Sequence, residues 1–351
     1  MEQAGCRSDQ FWEKGIKRSI LTKAGLSVTE LSGVEPNPRI ESVRKGVALC
    51  HTHKIDMVLA VGGGSTIDCA KVIAAGACYD GDAWDLVLDG RKIKAALPIY
   101  SVLTLAATGS EMDSFAVISD LSKHEKWGTG AQALKPRMSI LNPEYTFSVS
   151  QKQTSAGTAD IMSHTLENYF TPVRSAYVQA RMCEALLKTL IHYGPVALEH
   201  PDDYEARANL MWVSSLAING LVSSGADVTW CVHPMEHELS AFYDITHGEG
   251  LAILTPFWMD FALREETAWK FAEYGRNVFG LTGDVDMAIG REAIAATRAF
   301  FRQMKLPATL HEVGIDGTHF DMMAQKAADG CKGSFVPLSA EDIKSIFTAA
   351  L

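Results

Sequence analysis

IDMVLAVGGGSTID, residues 55–68, places a short, almost purely apolar run directly before a glycine turn. The run Ile55–Val61 is typical of a parallel strand buried on both faces. The turn opens the helix-forming segment Cys69–Ala77, and the N–H groups of such a turn can approach a phosphate closely. The alternative is that Ser65 and Asp68 only form a capping box and that the glycines only permit a tight turn. The turn is not a GxGxxG fingerprint, so both interpretations stay open on this segment alone.

The flanking segments extend this unit into an α/β sheet. Upstream, apolar periodicity and turn residues predict a helix at 11–24, a strand at Leu26–Leu31 and a helix from a cap at Asn37-Pro38 to about Leu49. Downstream, the predicted strand Leu97–Leu103 leads into TLAATGSE, residues 104–111, a second turn rich in small and hydroxyl residues. Two such turns at the ends of strands in one sheet predict a dinucleotide crevice.

The character of the chain changes near residue 152. Long segments with a 3.6-residue apolar period replace the short strands, at 203–221, 265–279 and 286–304. A capping box at Ser339–Asp342 predicts the start of the last helix. We therefore predict an α/β nucleotide-binding domain at 1–152, with a parallel sheet, and an all-α metal-binding domain at 153–351.

Two short clusters in the second half contain the candidate metal ligands. Asp160 and His164 lie four apart in a helix-forming segment, so their side chains project from one face. His233 and His237 repeat that spacing, and His247 follows ten residues later. A lone histidine is more often a hydrogen-bonded core side chain, but the set resembles a mixed N/O site for a divalent first-row metal. The remaining histidines have no such spacing and are assigned no role: His51, His53, His124, His192, His200, His311 and His319.

Composition excludes several classes of partner. The 32 Lys and Arg residues against 42 Asp and Glu give a net charge of −10, so nucleic acid is not expected. No run of about 18 apolar residues could span a bilayer, and the polar N-terminus does not fit a signal peptide. The seven cysteines are odd in number and show no CxxC spacing, which indicates a reducing cytosol rather than a disulfide framework. We predict a cytoplasmic protein.

In order along the chain, these features resemble the iron-containing (group III) alcohol dehydrogenases, in particular their butanol dehydrogenase and broad aldehyde reductase branch. The resemblance spans nearly the whole sequence. It rests on GVEPNPR at 33–39, the GGGSTID turn, residues 103–113, the Asp160 and histidine clusters, and the C-terminal helix.

The resemblance implies that Asp160, His164, His233 and His247 bind the metal, Fe²⁺ or alternatively Zn²⁺ or another divalent ion. His237 would then lie beside the nicotinamide as a candidate proton relay. The resemblance also implies NAD or NADP as cofactor, small primary alcohols and aldehydes as substrates, and a homodimer. The implied cofactor-binding residues are Asn37, Gly63, Gly64, Ser65, Asp68, Thr104, Thr108, Ser110, Lys126, Tyr145 and Val149.

One feature departs from the family pattern. Family members begin with a further strand and a Gly/Ser-rich loop, where this sequence has only Met1–Gln10, so we expect the first strand to be missing. That segment distinguishes NAD from NADP, which leaves the cofactor preference undecided. The departure keeps open a metal-binding but catalytically idle relative, and the shared architecture keeps open a glycerol dehydrogenase-like or dehydroquinate synthase-like enzyme. Four aromatic residues are candidates for contact with substrate or for simple core packing: Trp230, Phe242, Tyr243 and Trp258.

Overall fold

A computed structural model describes residues 18–351 of the 351-residue chain. The chain divides into two compact units between Ser150 and Gln151. The first part of the predicted helix at 11–24, and the expectation that the family's first strand is missing, concern residues 1–17 and lie outside the described residues.

The first unit alternates helices with short strands. Its helices are α1 (Arg18–Lys23), α2 (Ile40–His53), α3 (Gly64–Gly76) and α4 (Ala83–Leu88), and its strands are β1 (Val58–Gly62), β2 (Ile99–Leu103), β3 (Phe115–Asp120), β4 (Glu125–Gly130) and β5 (Met138–Ile140). Short 3₁₀ turns lie at Gly90–Lys92, Gln132–Leu134 and Pro143–Thr146. Within the described residues, this is the predicted α/β pattern.

The predicted parallel sheet is confirmed. Strands β1, β2 and β5 pair in that order, all parallel, with Val58 opposite Ile99 and Tyr100 opposite Met138. Strands β3 and β4 form a separate antiparallel hairpin. The backbone N–H of Thr104 donates to the carbonyl of Gly62 at 3.0 Å. The segments that follow β1 and β2 therefore start at the same edge of the sheet.

Three local predictions in this unit were wrong. Leu26–Leu31 belongs to no strand ladder in the described chain; Leu31 packs on the core beside α2, because an apolar alternation makes a strand only where a neighbouring strand offers hydrogen bonds. Asn37 does not cap α2: its φ is +51°, and Arg39 occupies the N-cap position. Strand β1 starts at Val58 rather than at the predicted Ile55, because the paired residues of β2 begin only at Ile99.

The second unit is helical, as predicted. Its helices are α5 (Gln151–Tyr169), α6 (Tyr177–Glu199), α7 (Tyr204–Ile218), α8 (Val232–Tyr243), α9 (His247–Ala262), α10 (Ala268–Phe279), α11 (Asp286–Gln303), α12 (Phe320–Cys331) and α13 (Ala340–Ala349). A 3₁₀ turn lies at His311–Val313, and Ser339 with Asp342 forms the predicted capping box of α13. Among the described residues, no helix combines the length and apolarity needed to cross a membrane.

Helix α5 is the central element of this unit. Every residue from Thr154 to Tyr169 is buried, and its apolar residues join one large core formed by the surrounding helices. A helix buried all round cannot direct its polar side chains to solvent. The polar residues of α5 must therefore find partners inside the protein.

Candidate metal centre and phosphate-binding turn

Helix α5 places three titratable side chains on one face. Asp160, His164 and Glu167 follow one another at spacings of four and three residues, so they line up along successive turns. All three are buried. Asp160 and His164 were predicted as ligands; Glu167 was not predicted, although it lies seven residues, two helical turns, after Asp160.

Helices α8 and α9 bring two more histidines to that face. His233 lies in the first turn of α8, and His247 is the first residue of α9. A Cβ added at Gly248 would lie 2.0 Å from the carbonyl oxygen of Ala156. The glycine after His247 is thus needed for the start of α9 to approach the backbone of α5.

The three predicted histidine ligands lie around one carboxylate oxygen of the fourth predicted ligand, Asp160. The Nε2 atoms of His164, His233 and His247 lie 3.4, 3.6 and 3.6 Å from Oδ1 of Asp160. Candidate ligand atoms of Asp160, His233 and His247 all lie within 4.8 Å of one another. The three histidines therefore place their Nε2 atoms around one carboxylate oxygen, and the ligand atoms of Asp160, His233 and His247 are also close to one another.

Unsatisfied buried atoms support the fit to a metal ion. Oδ1 of Asp160 and Nε2 of His233 are buried and have no hydrogen-bond partner among the described residues. Buried polar atoms are nearly always hydrogen-bonded, so an orphaned carboxylate oxygen facing an orphaned imidazole nitrogen needs an explanation. A divalent cation bound by both would supply it, and the donor set of one carboxylate and three imidazoles suits such an ion.

Two further carboxylates hold the outer nitrogens of the histidines. Nδ1 of His233 is hydrogen-bonded to Oε2 of Glu167, and Nδ1 of His247 to Oε2 of Glu236. This arrangement leaves Nε2 of each ring facing Asp160 and is the usual outer shell of a metal-bound histidine. Sequence reasoning missed Glu236 as well, although it lies three residues after His233, one helical turn away.

The electrostatics differ between the histidines. Burial lowers the pKa of His164 to about 3, so its imidazole is neutral at pH 7 and can donate a lone pair to a metal. Burial also disfavours charge on His233, but the Glu167 and Asp160 carboxylates outweigh it and raise its pKa to about 9. A metal ion bound at Nε2 would therefore displace a proton from His233.

His237 and Trp230 flank this centre. The ring of half-buried His237 lies 6.3 Å from that of His233 and 5.8 Å from that of His247, centroid to centroid. The Trp230 ring lies 5.2 Å from His164 and 4.7 Å from His233, and its Nε1 donates to Oδ1 of Asn168 at 3.3 Å. Of the four aromatic candidates, Trp258 is core and Phe242 and Tyr243 pack beside His319, so Trp230 is the one with ring contacts to the predicted ligands.

The glycine turn of the first unit opens a long helix, as predicted. Gly63 is the N-cap of α3 and Gly64 its first residue, so the alternative of a capping box at Ser65 and Asp68 is wrong. A Cβ at Gly64 would lie 2.1 Å from Oγ1 of Thr108, so the turns after β1 and β2 are in contact. Ser65 lies in the first turn of this helix, where free N–H groups favour an anion.

The polar residues behind this turn are tied together. Oδ1 of Asp68 accepts from Oγ of Ser110 at 2.5 Å, and Oδ2 accepts from the N–H of Val117 at 2.9 Å. Burial raises the pKa of Asp68 to about 6. The hydroxyl of Thr104 is buried and has no hydrogen-bond partner in the described chain. The structure therefore gathers the predicted residues Asp68, Thr104, Thr108 and Ser110 around the start of α3.

Asn37 and Lys126 meet beside the hairpin. Nζ of Lys126 donates to Oδ1 of Asn37 at 3.0 Å, and both side chains are buried. The N–H of Ser119 on β3 donates to the carbonyl of Pro38, which holds the 37–39 segment against the hairpin. The remaining predicted cofactor residues lie later in the unit: Tyr145 in the 3₁₀ turn Pro143–Thr146, and Val149, buried, just after it.

Comparisons with known proteins identify the family. Residues 8–143 match the model of the iron-containing alcohol dehydrogenases, and residues 154–351 match the C-terminal model of the Fe-containing alcohol dehydrogenase family. NADH-dependent butanol dehydrogenase A from Clostridium acetobutylicum is 56% identical over 333 residues, 94% of this chain and 86% of the relative. NADPH-dependent aldehyde reductase YqhD from Escherichia coli is 38% identical over 306 residues, 86% of this chain and 79% of the relative.

Solved structures agree with these sequence matches. The crystal structure of E. coli YqhD has a TM-score of 0.92 at 34% identity and covers 97% of this chain and 89% of its own. The NADH-dependent butanol dehydrogenase A of Thermotoga maritima has a TM-score of 0.92 at 35% identity and covers 98% and 88%. The chain belongs to the iron-containing alcohol dehydrogenase family.

Proposed function

We propose that this protein is a metal-dependent, NAD(P)-linked oxidoreductase that interconverts small primary alcohols and aldehydes by hydride transfer. The observation that carries the proposal is the convergence of three imidazole Nε2 atoms on the buried Oδ1 of Asp160, which has no hydrogen-bond partner among the residues that the structure describes. The names of the relatives, butanol dehydrogenases and an aldehyde reductase, support the reaction class.

Asp160, His164, His233 and His247 would hold the divalent ion, Fe²⁺ or alternatively Zn²⁺. A divalent ion held there supplies Lewis acidity toward the alcohol or aldehyde oxygen, while the nicotinamide accepts or supplies the hydride. The chain's own contribution is to keep each histidine oriented through the carboxylate on its Nδ1 and to exclude water by burial. His237, half-buried beside His247, is the candidate proton relay.

We assign nucleotide binding to residues 1–152 and metal binding to residues 153–351. The first turn of α3 offers backbone N–H groups to a pyrophosphate, and no side chain fits at Gly64. The buried hydroxyl of Thr104, without a hydrogen-bond partner in the described part of the chain, fits a cofactor contact. The proposed cofactor-binding residues are Asn37, Gly63, Gly64, Ser65, Asp68, Thr104, Thr108, Ser110, Lys126, Tyr145 and Val149.

We further propose a cytoplasmic homodimer. The cysteines of the described chain are free thiols, which fits a reducing compartment. The dimer is inferred from the family resemblance, and light scattering of the purified protein tests it: a monomer mass would contradict it.

The reaction is tested by an anaerobic assay of the Fe²⁺-loaded protein with butanal, following oxidation of NADH and NADPH in parallel. We expect turnover with at least one cofactor, its loss in His233→Ala, and its retention in His192→Ala, which removes an exposed histidine from α6. A protein that binds Fe²⁺ but oxidises neither cofactor would contradict the proposal. Nicotinamide fluorescence would then show whether cofactor binding or chemistry is missing.

A further inference from the structure

Glu167 and Glu236 determine which nitrogen of each histidine can bind a metal. A carboxylate accepts hydrogen bonds but does not donate them, so the proton of a neutral imidazole must stay on the nitrogen that faces it. Nδ1 of His233 faces Glu167 and Nδ1 of His247 faces Glu236. Each carboxylate therefore keeps the imidazole proton away from Nε2, the nitrogen that faces Asp160.

The two carboxylates differ in their other partners. Oε1 of Glu167 accepts from the backbone N–H groups of Cys231 and Val232 at 2.5 and 2.8 Å, and Oε2 also accepts from the N–H of His233 at 3.2 Å. These backbone groups are obligate donors. Glu167 thus satisfies the free N–H groups at the start of α8 and orients His233 at the same time.

Glu236 has a more adaptable neighbour. Oγ of Ser240, one turn later on α8, donates to Oε1 of Glu236 at 2.5 Å. A serine hydroxyl can donate or accept, and Oγ of Ser240 also lies 3.5 Å from the carbonyl oxygen of Ile245, which could receive its proton.

Glutamine would therefore affect the two sites differently. In Glu167→Gln, the amide oxygen can accept from the N–H groups of Cys231 and Val232. The NH₂ group then faces Nδ1 of His233, so Nδ1 must accept a hydrogen bond and the imidazole proton moves to Nε2. If the amide is turned the other way, its NH₂ group faces the backbone N–H donors of Cys231 and Val232, and donors cannot bond to one another. At position 236, the amide oxygen can still accept from His247 while its NH₂ group donates to Ser240.

We propose that Glu167 and Glu236 are positioning residues for the metal ligands, and that Glu167 but not Glu236 is intolerant of glutamine. The inference rests on the metal site proposed above and names the residues that set its affinity. Loss of an outer partner of a metal-bound histidine typically weakens metal binding by about 10–100-fold.

Co²⁺ binding to the full-length protein tests this inference without any assay of activity. Affinity is measured by chelator competition, and the visible absorption of bound Co²⁺ reports the ligand set. We expect Glu167→Gln to weaken binding by about 100-fold, the upper end of this range, Glu236→Leu by about 10–100-fold and Glu236→Gln by less than about tenfold. Glu238→Gln is the matched control, because this buried carboxylate of α8 forms an ion pair with Lys326; its affinity should equal that of wild type.

The wild-type measurement tests the metal site itself, and the variants test the roles of Glu167 and Glu236. A wild-type protein that fails to bind Co²⁺ overturns the metal site and this inference with it. A wild type that binds, together with a Glu167→Gln variant within threefold of it, overturns the inference alone, as does an equal loss in Glu238→Gln. Circular dichroism of the metal-free variants checks folding. If Glu167→Gln does not fold, the test is the comparison of Glu236→Leu with Glu236→Gln. Equal Co²⁺ affinities of these two variants would overturn the proposal.

Discussion

Helix α5 contributes to two polar clusters, one buried and one partly buried, which differ in how their charges are satisfied. The metal cluster consists of Asp160, His164, His233 and His247. The ion-pair cluster consists of Tyr169, at the end of the same helix, with Arg181 and Glu184 of α6 and Lys270, Glu273 and Asn277 of α10. Both contain buried charged side chains, so the presence of buried charge alone does not distinguish a functional site from a structural one.

The difference lies in how the carboxylates are satisfied. In the ion-pair cluster, Nη2 of Arg181 lies 2.5 Å from Glu184 and 2.6 Å from Glu273, and Lys270 lies 2.7 Å from Glu273. The Tyr169 hydroxyl lies 2.9 Å from Oε1 of Glu184 and 3.1 Å from Oε2 of Glu273. In the metal cluster, by contrast, Oδ1 of Asp160 has no hydrogen-bond partner in the described chain. An unsatisfied acceptor surrounded by imidazole nitrogens is the feature that fits a bound cation, and the ion-pair cluster has no counterpart among the bonds described above.

The largest expected effect is a loss of metal affinity on substitution in the metal cluster. Asp160→Asn keeps the shape of the side chain but removes the charge at the point where three Nε2 atoms converge. We expect metal affinity to fall by more than about 100-fold, beyond the effect of losing an outer partner. Metal content after dialysis against a chelator measures this. A variant that keeps one metal ion per chain would show that Asp160 is not a ligand.

In the ion-pair cluster, a substitution should lower stability and leave metal affinity unchanged. Glu184→Leu leaves Arg181 with one carboxylate and removes an acceptor from Tyr169. A broken buried ion pair costs about 3–5 kcal/mol; because the Arg181 side chain is 32% exposed, we expect about 2–3 kcal/mol less stability to denaturant. Metal affinity of the folded variant should match wild type. A large loss of affinity with little loss of stability would mean that the two clusters are not separate in function.

A smaller effect is expected at Trp230, whose ring contacts two predicted ligands. Trp230→Phe keeps an aromatic ring beside His164 and His233 but loses the hydrogen bond to Asn168. Metal affinity should fall by less than about tenfold, the lower end of outer-partner effects. The metal-dependent change in tryptophan fluorescence should also diminish. Trp212→Phe, which replaces an exposed indole on α7, is the control and should keep that change.

The smallest effect concerns the pH dependence of stability. Burial raises the pKa of Glu273, but its bonds to Lys270 and Arg181 outweigh burial and hold the pKa below its ordinary value of 4.5. A carboxyl with a depressed folded-state pKa stabilises the protein above its unfolded-state pKa, and this stability is lost as pH falls below about 4.5. The melting-temperature difference between wild type and Glu273→Gln should therefore shrink from pH 5 to pH 3. A constant difference would show that the carboxylate charge contributes nothing, and Glu199→Gln, an exposed carboxylate at the end of α6, should leave the profile unchanged.

Local spacing explains which parts could be predicted. Asp160 and His164 lie on one helix, so their shared face follows from the helical period alone. The parallel strands also follow from local pattern, because a strand covered on both faces is apolar throughout. The strand predicted at Leu26–Leu31 failed because a strand exists only with a paired neighbour, which no local pattern contains. The N-cap at Asn37 failed because that residue adopts a left-handed conformation and bonds Lys126, 89 residues away.

The sequence by itself determined the family and the α/β and helical halves, and it predicted a metal-ligand set by resemblance. These depend on residue identity and on periods of two to four residues, and both can be read from the sequence without knowledge of the fold. Only the tertiary structure decided that Glu167 and Glu236 orient His233 and His247, that Glu167 also satisfies the start of α8, and that Gly248 lets α9 reach α5. The physical reason is that hydrogen bonds and close backbone contacts between helices depend on how the helices pack, and residues 66 positions apart carry no local sign of their contact.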